Sequence, residues 1–163
     1  GLIRQVSSSS GDKGVITDSA VIKMIRRSIN NPLGSLAPYK NSNDGNPDIQ
    51  MMYKSLVMFW SAVKDAFPGA WGLPPTASRL MHSAGIESMG VLMDKLIARC
   101  MVTVDPERSV RNALFKIAPH CRWTEGHWRM MNLNWDDVQN TGKHIKMLSD
   151  TLVQLDYKFQ NVQ

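Results

Sequence analysis

The sequence has only two cysteines, Cys100 and Cys121, in 163 residues. Two are too few for a disulfide framework, so an apolar core must hold the fold. Cys100 closes an apolar helical pattern and reads as a buried thiol. Free thiols fit a reducing, cytoplasmic compartment. No apolar run approaches the ~18 residues that a membrane span requires, so no membrane partner is expected. A signal-peptide layout is also missing, since Gly1-Leu2-Ile3-Arg4 leads straight into a polar serine run. The chain lacks His-Glu-x-x-His, lacks Cys-x-x-Cys, and has no glycine-rich loop ending in Lys-Ser/Thr. These are the local signatures of zinc hydrolases, zinc ribbons and P-loop enzymes. No complete catalytic site and no cofactor are therefore expected in this chain. An initiator Met is missing as well, and the expectation is the C-terminal part of a longer protein.

What is present suits a folded domain. Hydrophobic residues make up 43% and charged residues 20%, a balance that can bury one core at this length. The net charge is +5, and it is unevenly placed. Residues 1–40 hold six Lys/Arg against two Asp, while residues 120–163 hold five of each sign. The surplus gathers around Lys23, Arg26, Arg27 and Lys40. Such a patch attracts phosphate backbones through counterion release, and it is equally a solvated helix face.

The periodicity predicts an all-α fold of about five helices around one core. Residues 1–16 read as an extended segment and flexible loop, with Leu2-Ile3-Arg4-Gln5-Val6 as a short strand. Residues 17–163 form the single helical domain. A first helix over 17–29 would place Val21, Ile22, Ile25 and Ile29 on one face, and Asn30-Asn31-Pro32 would stop it. Residues 31–48 form a long loop. A second helix over 48–67 carries Met52, Leu56, Phe59 and Val63 on one face, widened by Ile49, Met51, Trp60 and Ala66. A face that broad requires several covering elements. The third helical region lies within 76–103, where Gly85 and Gly90 weaken the helix near its start and Gly85 suggests a split into two short helices. Asp105-Pro106 starts a fourth helix that ends before Pro119. Residues 119–134 read as irregular. A last helix runs from Trp135 or Asp136 to about Tyr157, with Gly142 as its weak point.

Two constellations invite a chemical reading. His120, Cys121 and His127, with Glu125 nearby, contain zinc-ligand residue types within a short segment, although their spacing matches no metal motif. Trp123 and Trp128 each have an arginine neighbour, Arg122 and Arg129, and a Trp/Arg pair can stack on a base while holding phosphate. The commoner role for such a tryptophan is in the core. The nucleic-acid candidates are thus Lys13, Lys23, Arg26, Arg27, Arg122 and Arg129.

A series of short segments also carries a resemblance. It runs through Gly14-Val15-Ile16-Thr17-Asp18-Ser19-Ala20, Tyr53, Phe59-Trp60-Ser61-Ala62-Val63 and Phe67-Pro68-Gly69-Ala70-Trp71. It continues in Ser83-Ala84-Gly85-Ile86-Glu87-Ser88-Met89 and closes on Trp123, Trp128, Trp135 and Asn140-Thr141-Gly142. This series resembles the C-terminal half of DGQHR-domain proteins, a family that includes DndB-type regulators linked to bacterial DNA phosphorothioate modification. The Asp-Gly-Gln-His-Arg motif that names the family is absent here, so no residue inherits its role. The resemblance implies DNA modification, phage defence or transcription regulation. The expected partners are then DNA, the missing N-terminal half or another protein. The alternatives are a protein-interaction or scaffolding module without nucleic-acid contact, and a metal-dependent enzyme fragment built on His120, Cys121 and His127.

Overall fold

The computed structural model describes residues 18–162. Lys13 and the short N-terminal strand expected from the sequence lie outside them. Five helices follow in order: α1 (Asp18–Asn30), α2 (Ile49–Ala66), α3 (Ser83–Cys100), α4 (Pro106–Ile117) and α5 (Gly142–Phe159). One antiparallel two-stranded ribbon, β1 (His127–Trp128) with β2 (Leu133–Asn134), interrupts the segment read from sequence as irregular. The chain is thus mostly helical, as its periodicity predicts.

The helix starts follow their capping chemistry. Asp48 Oδ1 accepts the Met51 N–H at 3.1 Å and opens α2. Asp105 does the same for Arg108 at 3.1 Å, with Pro106 in the first turn of α4. Each carboxylate satisfies a backbone donor that the helix leaves without a partner. The last helix departs from the sequence reading. Residues Trp135–Asp137 form a separate 3-10 turn, and α5 begins only at Gly142. Thr141 is the cap, accepting from the His144 N–H at 3.2 Å.

Helix α3 is the axis of the fold. Thirteen of its 18 residues are buried, as expected for a helix that is apolar nearly all round. It is continuous through both glycines, including Gly85, where the sequence suggests a split. They are sites of close approach rather than breaks. A Cβ on Gly85 would lie 1.9 Å from the Arg79 carbonyl oxygen, and one on Gly90 would lie 2.3 Å from Met24 Cγ of α1. Their missing side chains let the preceding turn and α1 sit against α3.

Helices α1 and α5 both lie on α3 and run in its direction. Met24 meets Gly90 and Ser28 meets Asp94, so α1 and α3 advance together. On the other side the Ser88 hydroxyl donates to the Ile145 carbonyl, and Arg99 pairs with Asp156. Helix α4 packs against α2, α3 and α5, and its last turn meets the end of α5, where Lys116 Nζ donates to the Gln160 carbonyl at 3.1 Å. The turn before α3 is clamped by Arg79, whose guanidinium donates to the carbonyls of Pro75, Asp136 and Val138 at 2.7–2.9 Å. The 31–48 loop is pinned as well, with Leu36 fully buried.

The start of α3 is pH-sensitive. His82 Nδ1 accepts the Ala84 N–H at 3.1 Å, which it can do only when that nitrogen carries no proton. Burial, and then the positive charge of Arg79, hold its pKa below the ordinary value of 6.5. The unfolded chain therefore takes up the proton first. The contribution of His82 is complete above about pH 6.5 and is lost as pH falls toward the depressed folded value. Losing such a cap costs about 1 kcal/mol. The expected result is a melting temperature that falls about 2–4 °C further between neutral pH and pH 5 in the wild type than in His82→Asn, whose amide caps at both pH values. Parallel curves for the two proteins would remove His82 as the cause.

Candidate functional site

Helix α1 buries Ala20, Met24 and Ser28, with Val21, Ile25 and Ile29 packed at the edge. Ile22 is exposed instead of joining that face. At 100° per residue it points nearly opposite to the line through Ala20 and Met24. Its exposed neighbours are Lys23, Arg26 and Asn30. Neither Lys23 nor Arg26 has an ion-pair or hydrogen-bond partner among the described residues. Arg27 sits at the margin, 3.8 Å from the buried carboxylate of Glu87 on α3. Lys40, distant in sequence, returns to the end of α1, where its Nζ lies 3.3 Å from Asn30 Oδ1. The stretch from Ser19 to Asn43 contains no Asp or Glu. Asp18, the first residue of α1, is its one acid, and from Ser19 onward the outer side of α1 and the turn after it carry only positive charge.

This face is held in place by a buried polar junction that sequence reading missed. Asp94 Oδ1 accepts the Ser28 hydroxyl at 2.7 Å, the Ser35 hydroxyl at 2.8 Å and the Ser35 N–H at 2.9 Å. Ser28 Oγ in turn accepts the Leu36 N–H at 3.2 Å. One carboxylate therefore ties the end of α1, the turn after it and the middle of α3 together. The only sequence signal was an acid inside an apolar run, Leu92-Met93-Asp94.

The Trp/Arg candidates take structural places. Trp123 and Trp128 are 4% and 2% exposed and meet edge to face, with their centroids 5.3 Å apart. Neither presents a face on which a base could stack. Arg122 Nη1 donates to the carbonyls of Pro119 and Cys121. Arg129 is exposed on the β1–β2 turn, next to a tryptophan that is itself buried.

His120, Cys121 and His127 are not brought together as ligands. His120 stacks on Phe159, with centroids 4.2 Å apart. Cys121 is buried and its Sγ lies 3.4 Å from the Ile117 carbonyl. Burial holds its thiol far above the ordinary range, so it is neither a ready ligand nor a nucleophile. The His127 ring nitrogens face the side-chain oxygens of Asn134 at 2.9 Å and Asn132 at 3.1 Å. Among the described residues no three His, Cys, Asp or Glu side chains are grouped to hold a metal ion. Cys100 and Cys121 are both free and buried, and burial also raises the Cys100 pKa.

A cleft of about 470 Å³ opens between the end of α2 and the 121–126 segment, lined by Phe67, Arg122, Trp123 and Glu125 among others. Its cation is occupied by backbone carbonyls and it gathers no acid–base pair. No described helix is long and apolar enough to cross a membrane. No family model, curated protein or solved structure matches the chain.

Proposed function

We propose that this chain is a non-catalytic helical module that holds DNA against the outer face of α1, within a regulatory or defence protein associated with DNA modification. The observation that carries the reading is the positive side of α1 beyond its first residue, Asp18. Lys23 and Arg26 project freely, Lys40 extends the charge past the helix end, and no acid lies between Ser19 and Asn43. A rigid helix presenting cations at one-turn spacing can follow successive phosphates. Phosphate contacts of this kind give affinity and orientation without sequence choice. The resemblance to DGQHR-domain proteins supplies the context of DNA modification, phage defence or transcription regulation.

The test is a fluorescence-anisotropy titration of labelled duplex and single-stranded DNA over a range of salt. Each phosphate contact steepens the log–log salt dependence by about 0.9 on duplex DNA. Lys23→Gln with Arg26→Gln should weaken binding and flatten the slope by about two. Arg27→Gln should have less effect, because that guanidinium already leans on Glu87. Absence of binding at low salt, or a double variant that binds like the wild type, would sink the reading.

A further inference from the structure

Helix α2 leaves part of its broad apolar surface uncovered. Met52, Phe59 and Val63 are buried, and α2 packs chiefly on α4 and the turn at Ala37–Tyr39. Ile49, Tyr53 and Val57 remain 66%, 55% and 44% exposed. They are spaced i, i+4, i+8 and so form one stripe along the helix. Its charged neighbours on α2 are Lys54, Lys64 and Asp65. Lys54 and Lys64 are exposed with no partner among the described residues. The sole carboxylate of α2, Asp65, is paired with Arg111 of α4.

We infer that this stripe is a docking surface for an amphipathic helix of another protein, with apolar anchors facing Ile49, Tyr53 and Val57 and acidic residues on its flanks. The charge selects the occupant. A second copy of this chain in face-to-face contact would set Lys54 and Lys64 against lysines, which costs affinity. Three side chains are also little surface against the roughly 800 Å² per partner of a standard stable interface. A single helix needs less, because it engages through a few anchors at i and i+4 spacing. Tyr53, an aromatic with a polar tip at the middle of the stripe, has the character of a binding hot spot. Glutamates beside the anchors would answer Lys54 and Lys64. This inference stands apart from the DNA reading, since α1 and α2 supply different residues.

The probe is a pair of synthetic helical peptides with leucines at i, i+4 and i+8, one with glutamate flanks and one with lysine flanks. Each is titrated into the isotope-labelled whole chain and followed by amide chemical shifts. The acidic peptide should give saturable shifts centred on Ile49, Tyr53, Lys54 and Val57. Binding should fall about tenfold or more in Tyr53→Ser, with the melting temperature and the DNA titration unchanged. The lysine-flanked peptide should bind more weakly by a similar factor. The inference is overturned by shifts that lie elsewhere, by no saturable shift, or by equal binding of the two peptides. Sedimentation showing a dimer that Tyr53→Ser dissolves would assign the stripe to a second copy instead.

Discussion

Gly85→Ala should destabilise the domain by about 3 kcal/mol or more, the upper end of what overpacking costs. The added methyl would arrive 1.9 Å from the Arg79 carbonyl oxygen and 2.8 Å from that of Leu80. Both are backbone atoms, which cannot swing aside as a side-chain end can. Relief would require the preceding turn to move away from α3. That turn is the one Arg79 holds through three carbonyl contacts, and its backbone N–H is also bonded to the Trp123 carbonyl at 2.8 Å. Displacing it would loosen the links from α3 to both the 121–128 and 135–138 segments. Gly90→Ala should be milder, because Met24 is flexible and can repack. Gly142→Ala is the control: nothing lies within 4 Å of its added Cβ, and alanine should be neutral or slightly stabilising there. Urea unfolding of the three variants checks the order. A Gly85→Ala protein as stable as the Gly142→Ala one would show that the close approach carries no energy.

Asp94→Ala should be comparably damaging by a different route. The substitution removes the acceptor of three hydrogen bonds and leaves two hydroxyls and one N–H to find other partners near the core. Each unsatisfied buried group costs roughly 1–3 kcal/mol, so a loss of about 3 kcal/mol or more is expected. Asp94→Asn keeps an oxygen acceptor of the same shape and should cost clearly less. The effect should reach the positive face, because the same carboxylate positions Ser28 at the end of α1. Hydrogen exchange should therefore rise in 26–36 before it rises in α5. If exchange rises evenly along the chain, Asp94 supports the fold generally and does not position α1.

The elements that could be read from sequence are those specified by local chemistry. Asp48 and Asp105-Pro106 cap helices by short-range geometry, and the observed α2 agrees within a residue at each end. The failures come from tertiary packing. Gly85 looks like a break and Gly90 like a weak point because helix propensity penalises glycine, yet the neighbours need their absent side chains. Ile22 looks like core because it is apolar, while Ala20 and Ser28 have the small size that close approach to α3 needs. The positive face was legible in part: Lys23, Arg26 and Arg27 are on one helix, but only the folded loop returns Lys40 to its end. The candidate metal and base-stacking sets failed because proximity in sequence says little about direction. His120, Cys121 and His127 point to Phe159, Ile117 and two asparagines.

The shared direction of α1, α3 and α5 has a consequence for how the chain reaches this state. In a bundle of antiparallel neighbours, adjacent helices can pair as soon as both exist. Here the contacts of α3 with α1 join residues 66 apart, and those with α5 join residues 57 apart. Closing such loops loses chain entropy before any burial returns it, so folding should be slow for a helical protein. During synthesis, α3 emerges with α1 already made, but its other side must await the last helix. Until α5 leaves the ribosome, one side of this largely buried helix has no permanent cover, and the nascent chain is at its most vulnerable to aggregation.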